Sequence, residues 1–87
     1  MEKLYVIRRK ASNMGIEGTI YISTRKNKKY MIELSNGDKI HFGDSRYKDF
    51  LDHKVEIRKI RFHNRFKNSK GYNNKKSGLY YSRKLLW

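Results

Sequence analysis

The first half of the chain has the alternation of apolar and polar positions that is typical of β-strands. β-branched and aromatic residues are concentrated in four segments: Lys3–Arg9, Gly18–Thr24, Tyr30–Leu34 and Lys39–Phe42. Between the last two segments, Asn36 and Gly37 predict a type I′ hairpin turn, because both residue types accept a positive φ. We therefore expect a small antiparallel sheet of three to four strands, arranged as a meander.

One face of the predicted hairpin is apolar and needs a cover. Its apolar positions are Tyr30, Ile32, Leu34, Ile40 and Phe42. On the returning strand these positions alternate with Lys39 and His41, which would lie on the opposite face. The sheet is therefore expected to pack against another element through one face only.

A helical pattern follows Gly43, a residue that tolerates the backbone angles of a sharp turn. Asp44 and Ser45 are residue types that cap the N-terminus of a helix. The positions that fit a helical period are Phe50, Leu51, Lys54, Val55, Arg58 and Phe62. The alternation of residues 55–58 is typical of a strand instead, but the next apolar pair falls out of that phase. The pattern favours one helix over Ser45–Lys67, which would cover the sheet.

The last twenty residues divide into a polar and an apolar part. Asn68–Ser77 has no apolar periodicity and predicts a basic loop. Gly78–Trp87 is apolar and is expected to dock into the core or onto a partner. The chain is thus predicted to be one α+β domain with N-terminal strands (1–29), a hairpin and main helix (30–67), a basic loop (68–77) and an apolar tail (78–87).

Charge is the strongest compositional signal. The chain has 22 Lys and Arg against 8 Asp and Glu, a net charge of +14. Residues 1–45 have nine basic and five acidic side chains, a net of +4, and residues 46–87 have thirteen and three, a net of +10. A polyanionic partner is expected: nucleic acid first, with DNA favoured over RNA, and an acidic protein or lipid surface second.

Other classes of function have little support in the composition. The chain has no Cys, which excludes disulfides and thiolate metal sites. No signal peptide, bilayer-spanning segment, phosphate-binding glycine loop or nucleophile–base pair is recognisable, so we expect a protein that is neither secreted nor inserted in a membrane and that needs no cofactor.

Cations of the predicted helix, loop and tail are the candidate phosphate contacts, because a basic row neutralises phosphates rather than reading bases. These candidates are Arg46, Lys54, Arg58, Lys59, Arg61, Arg65, Lys67, Lys70, Lys75, Lys76, Arg83 and Lys84. Aromatic residues among them could stack on bases or contact a partner: Tyr72, Tyr80, Tyr81 and Trp87. The alternative interpretation is that this aromatic tail fills the small core.

A metal site is a second candidate. Asp49 and His53 are four residues apart, so a helix would place them on one face, and His41 lies near a strand end. A hairpin and helix with such ligands is the outline of a metal-dependent ββα nuclease. The alternative is that Asp49 and His53 form an ordinary helical pair.

Three motifs resemble those of a known family. They are His41–Phe50 (HFGDSRYKDF), His53–Lys54, and the ending Ser77–Trp87 (SGLYYSRKLLW). Over residues 30–87 the chain resembles small basic proteins of nucleocytoplasmic large DNA viruses, the phycodnavirus, mimivirus and iridovirus relatives. It departs from them at Tyr80–Tyr81, where relatives tend to have phenylalanine and tryptophan, and at Val55 and Ile57, where relatives are more charged. The resemblance implies a viral origin and a place in the virion.

The expected function is therefore that of a non-enzymatic, virion-associated nucleic-acid-binding protein, which would be found in the virion and in the cytoplasm or nucleus of an infected cell. The main alternative is a minor capsid or inner-shell protein whose basic surface meets an acidic virion protein. A metal-dependent nuclease is the third hypothesis, and self-association is possible in each case.

Overall fold

Residues 2–87 are described by the computed structural model and form three strands and four α-helices. The elements are α1 (Glu2–Asn13), β1 (Thr19–Ile22), β2 (Lys28–Glu33), β3 (Lys39–Asp44), α2 (Phe50–His53), α3 (Glu56–Phe66) and α4 (Gly78–Leu85). A 3₁₀-helix, Lys70–Asn73, connects α3 to α4. None of the helices in the described residues is long and apolar enough to cross a bilayer.

The strands form an antiparallel sheet in the order β1-β2-β3, which confirms the predicted α+β class. Tyr30 pairs with Phe42 and Ile32 with Ile40, as the apolar pattern requires. The hairpin turn is not of type I′, because Gly37 has a positive φ (92°) and Asn36 does not. Instead, the Asn36 side chain accepts the N–H of Asp38 at 2.9 Å and stabilises a longer turn.

Two terminal helices, rather than the central segment, cover the apolar face of the sheet. The buried core joins residues of α1, the sheet and α4: Leu4, Ile7, Ala11, Ile20, Tyr30, Ile32, Phe42, Tyr81, Leu85 and Leu86. The prediction of a strand at Lys3–Arg9 was wrong, because this segment belongs to helix α1, in which Leu4, Ile7 and Ala11 lie on one buried face. Tyr5 and Val6, which favoured a strand, are exposed.

The predicted helix Ser45–Lys67 is two helices preceded by a turn. Asp44 does not cap a helix, because its carboxylate accepts the N–H of Arg46 at 2.9 Å and its carbonyl accepts that of Tyr47. Helix α2 begins only after Asp49 and ends at Lys54, which has the left-handed φ of 56°. Helix α3 then contributes no fully buried residue, so it does not cover the sheet.

Helix α4 lies along β3, which is an edge strand of the sheet. The N–H of Gly43 donates to the hydroxyl of Ser82 at 3.0 Å, so α4 satisfies a backbone donor of that edge. Leu85 and Leu86, at the end of α4, are fully buried. The C-terminal segment is therefore a structural helix of the domain.

A cluster of two carboxylates and two ammonium groups joins α1, β2 and α2. Asp49, which is 2% exposed, accepts 2.8 Å hydrogen bonds from both Lys3 and Lys29. Lys3 also donates a hydrogen bond of 2.9 Å to the carboxylate of Asp52. Burial would raise the pKa of Asp52, but the hydrogen bonds from Lys3 and from the backbone N–H of Asp49, with the charges of Lys3 and Lys29, together outweigh burial and lower that pKa to about 2. Asp52 is therefore ionised throughout the neutral range, and the salt bridges of the cluster fix α2 against the sheet.

Removing the Asp49 charge should destabilise the fold. In Asp49→Asn, Lys3 and Lys29 keep only Asp52 as an anionic partner, so we expect the free energy of unfolding to fall by about 3 kcal/mol. Urea denaturation measures this change. The matched control is Glu17→Gln, which removes one carboxylate charge at an exposed position. If the two variants had equal stability, the structural role of the cluster would be refuted.

A Cβ at Gly43 should also destabilise the protein. Gly43 has a φ of 80°, and its Cβ would lie 2.8 Å from Cδ1 of Leu86 and 3.2 Å from Cβ of Lys29. Gly37→Ala is the control, because Gly37 has a similar φ of 92° but open space around it. We expect Gly37→Ala to cost about 1–2 kcal/mol for the backbone alone. Gly43→Ala should cost about 1–3 kcal/mol more in thermal or urea unfolding, and equal losses would contradict the close packing of α4.

Candidate nucleic-acid interface

A cleft of about 900 Å³ lies between the outer face of the sheet and the helical arm formed by α2 and α3. Its floor includes Lys29, His41 and Gly43, which lie on the face opposite the buried Ile32 and Phe42. Helix α3 forms one wall, and the start of α4 closes one end. The cleft thus forms where the two halves of the chain meet.

The α3 wall presents a row of arginines. Arg58, Arg61 and Arg65 follow one face of the helix at i, i+3 and i+7, and all three line the cleft. The row is about 10 Å long, given the helical rise per residue. The three side chains are exposed, and none of them forms an ion pair within the described residues.

Aromatic contacts hold α3 in this position. Phe62 stacks on Trp87 with ring centroids 4.5 Å apart and planes 2° apart. The ammonium of Lys59 lies 4.8 Å from the centroid of the Phe50 ring. His63 Nδ1 lies 2.7 Å from the hydroxyl of Tyr72, beyond the C-terminal end of α3. These contacts hold α3 in the position in which its arginine row lines the cleft.

The opposite wall supplies further cations from a different part of the sequence. Arg25 comes from the β1–β2 turn, where Asn27 has a left-handed φ of 66°, Lys28 is the first residue of β2, and Lys48 precedes α2. The full set of cleft cations is Arg25, Lys28, Lys29, Lys48, Arg58, Arg61 and Arg65. Both walls of the cleft are therefore positively charged.

The two carboxylates that line the cleft already have other partners. Asp44 binds the Arg46 guanidinium through two hydrogen bonds, of 2.9 and 3.0 Å, and this contact lowers its pKa to about 2. Asp49 binds Lys3 and Lys29. Among the side chains that the structure describes, those of residues 3–87, no salt bridge uses any of the six other cleft cations. Their charge is thus available to an anion.

His41 adds a neutral polar group to the floor. Burial lowers the pKa of His41, and the nearby charges of Arg25 and Lys28 lower it further. The Ser23 hydroxyl, which accepts the N–H of Arg25 at 3.0 Å, lies 2.7 Å from Nδ1 of His41. If Ser23 donates its proton to Nδ1, the ring proton is on Nε2. The Ser23–His41 pair was not recognisable in the sequence, because its members come from different parts of the sheet. Of the two residues, only His41 lines the cleft.

The three weak metal candidates do not form a site together. Asp49 is held by two lysines, and His53 accepts the N–H of Val55 at Nδ1 (2.9 Å). Burial and the charge of Arg58 lower the pKa of His53. No group of three or more His, Asp and Glu side chains in the described part of the chain is placed to hold a metal ion.

Three of the twelve predicted phosphate contacts line the cleft: Arg58, Arg61 and Arg65. The Arg46 and Arg83 side chains have protein partners, since Arg83 donates to the carbonyl of Tyr72 and, at 2.9 Å, to Oδ1 of Asn73. Lys59 and Lys84 lie near aromatic rings. The others are exposed outside the cleft: Lys54, Lys67, Lys70, Lys75 and Lys76.

Most of the predicted stacking residues already pack against other side chains of the protein. Tyr81 is 3% exposed and packs in the core, with its ring 6.0 Å from that of Phe42. Tyr72 and Tyr80 both contact the Arg83 guanidinium, whose central carbon lies 4.2 Å from the ring centroid of Tyr72 and 5.3 Å from that of Tyr80. Tyr47, which the sequence interpretation did not select, is 65% exposed and lines the cleft.

The sequence contains only a partial indication of the cleft cations that were not predicted, which are Arg25, Lys28, Lys29 and Lys48. Residues 25–29 are visibly basic, but nothing local shows that this turn faces α3. Lys48 has one nearby basic residue, Arg46, two positions before it, and an acidic residue, Asp49, directly after it. Pairing of β1 with β2, and the anchoring of α2 by its carboxylates, bring these residues together with the arginine row.

Comparison with known proteins gives one match. The model of a family described as "Family of unknown function (DUF5754)" matches residues 18–66, which is more than half of the chain. Searches of curated proteins and of solved structures found no match. The matched residues run from the start of the sheet to the end of α3, so they include both cationic walls of the cleft. The chain therefore belongs to this family of unknown function, DUF5754.

Proposed function

We propose that the protein is a non-enzymatic nucleic-acid-binding protein that holds phosphates in the cleft. The observation that carries this proposal is the set of six cations on two facing walls with no salt-bridge partner in the described residues. Like charges held around a concavity repel one another, and an anion that enters it is attracted by all of them. The arrangement favours a ligand with several negative charges.

The extent of the charged surface favours a polymer over a small anion. The arginine row of α3 alone covers about 10 Å, and the cations of the β1–β2 turn lie across from it. A nucleic acid presents phosphates at regular intervals along such a surface, and contacts of this kind position the chain without reading its sequence. DNA remains the first candidate and RNA the second.

The setting of this activity rests on the resemblance of residues 30–87 to small basic proteins of large DNA viruses. That resemblance is the reason for proposing a role in the virion, with the protein in the cytoplasm or nucleus of the infected cell before assembly. A nuclease activity has less support, because Asp49 and His53 already have protein contacts at their side chains.

A second candidate function is a structural role in the capsid or inner shell. The observation in its favour is the exposure of three apolar side chains at the start of α3 and along its first turns. Val55, Ile57 and Ile60 are 40–51% exposed there, although burial of such side chains is favourable. A virion protein with a complementary apolar and acidic surface, or a second copy of this chain, would cover these residues.

The cleft proposal predicts which arginines matter for binding. The cleft variant replaces Arg58, Arg61 and Arg65 by Gln, and the loop variant replaces Lys70, Lys75 and Lys76 by Gln. Both variants lose three positive charges, but only the first loses charge from the cleft. We expect the cleft variant to lose at least tenfold more affinity for DNA in a fluorescence-anisotropy titration.

The salt dependence of the same titration provides a second measurement. Each lost phosphate contact should reduce the slope of log K against log salt by about 0.7–0.9, so the cleft variant should lose about 2 from the slope. The loop variant should keep most of the wild-type slope. Equal losses of affinity and slope in both variants would mean that binding follows net charge alone, and no binding at low salt would refute the proposed function.

A further inference from the structure

We infer that the cleft binds one unpaired nucleic-acid strand, and that Tyr47 stacks on one of its bases. This inference rests on the proposed function and makes it more specific. It is carried by two observations: the cations line a concave surface, and the most exposed aromatic ring of the cleft lies among them.

The shape of the charged surface favours a single strand. Proteins that read a duplex place a helix or a β-ribbon into a major groove about 12 Å wide, which requires an element that protrudes. Here the arginine row lines a concave surface together with Arg25 and Lys28, so the cations surround a cavity and do not lie on a protruding element. A cavity of about 900 Å³ is in the size range of ligand pockets, large enough for a few nucleotides but not for a duplex.

The turn before α2 fixes Tyr47 at the edge of this cavity. The carbonyl of Asp44 accepts the N–H of Tyr47 at 3.2 Å, and the Asp44 carboxylate holds the side chain of Arg46. The Arg46 guanidinium lies 6.0 Å from the centroid of the Tyr47 ring. The ring nevertheless remains 65% exposed, so it presents a free surface at a position that the turn has already defined.

Other aromatic residues of the cleft have their rings engaged. Phe62 lies between Trp87, at 4.5 Å, and Phe66, at 4.9 Å. Tyr47 has no aromatic partner among the described residues. Because each base has a π-face, stacking on a tyrosine accepts any sequence, and single-strand binders combine such stacking with a cationic groove. Tyr47 beside the cleft cations is this combination.

The test compares an oligothymidylate of about 12 nucleotides, a length that single-strand binders cover, with a duplex of the same length. Wild-type protein should bind the single strand at least tenfold more tightly at matched salt. Tyr47→Ala should weaken single-strand binding about tenfold with no change in the salt slope, because no charge is lost. Tyr47→Phe should retain the affinity, since stacking needs the ring and not the hydroxyl.

The matched control is Tyr5→Ala, which removes an equally exposed tyrosine, 70% exposed, from α1 outside the cleft. It should bind like wild type. Duplex binding as tight as single-strand binding, or equal losses in Tyr47→Ala and Tyr5→Ala, would overturn the inference while the proposed function stands. Binding to neither nucleic acid at low salt would refute the proposed function itself.

Discussion

The buried carboxylate of Asp49 is the contact on which the arrangement of the domain depends. It binds Lys3 of α1 and Lys29 of β2, and thereby fixes α2 to a sheet from which it is separated by an irregular turn. A buried carboxylate without these partners would be strongly unfavourable, so α2 has one well-defined position. Helix α3 has no fully buried residue of its own, and its place follows from α2 at one end and from the Phe62–Trp87 stack along its side.

The same cluster explains why some cations of the domain are paired with carboxylates and others are not. Burial would lower the pKa of Lys3, but its hydrogen bonds to the two carboxylates outweigh burial and raise that pKa. Asp49, Asp52 and Asp44 are thus all used within the protein, on Lys3, Lys29 and Arg46. With so few acids in a chain of net charge +14, this leaves the remaining cleft cations uncompensated. A bound polyanion would relieve their repulsion and so stabilise the folded state.

Local signals in the sequence predict the sheet well and the helices poorly. The hairpin follows from an alternating pattern and a turn residue, Gly37, all within a few residues of each other. Helix α1 has strand-forming residues, and the helical spacing of Leu4, Ile7 and Ala11, which was outweighed by the run of Tyr5 and Val6 in the sequence, proves decisive once these residues pack in the core. No glycine or proline marks the break at Lys54, which depends on the left-handed φ of Lys54 and on the N–H of Val55, which donates to Nδ1 of the His53 side chain. The cleft could not be predicted, because its cations come from segments joined only by tertiary contacts.

Counting charge along the sequence also misplaces it in space. The second half of the chain has the larger excess of positive charge, yet its Arg83 side chain is hydrogen-bonded to Tyr72 and Asn73. Arg25 and Lys28, from the less basic half, line the cleft together with the arginine row. Helix α3 itself has both kinds of side chain on one exposed surface, because Ile57 lies one turn before Arg61, which lines the cleft. A polyanion held by the arginines and a protein neighbour that covers Ile57 would meet on adjoining parts of that helix. The two proposed roles would therefore use neighbouring surfaces, and the size of the bound ligand would decide whether one molecule could perform both at once.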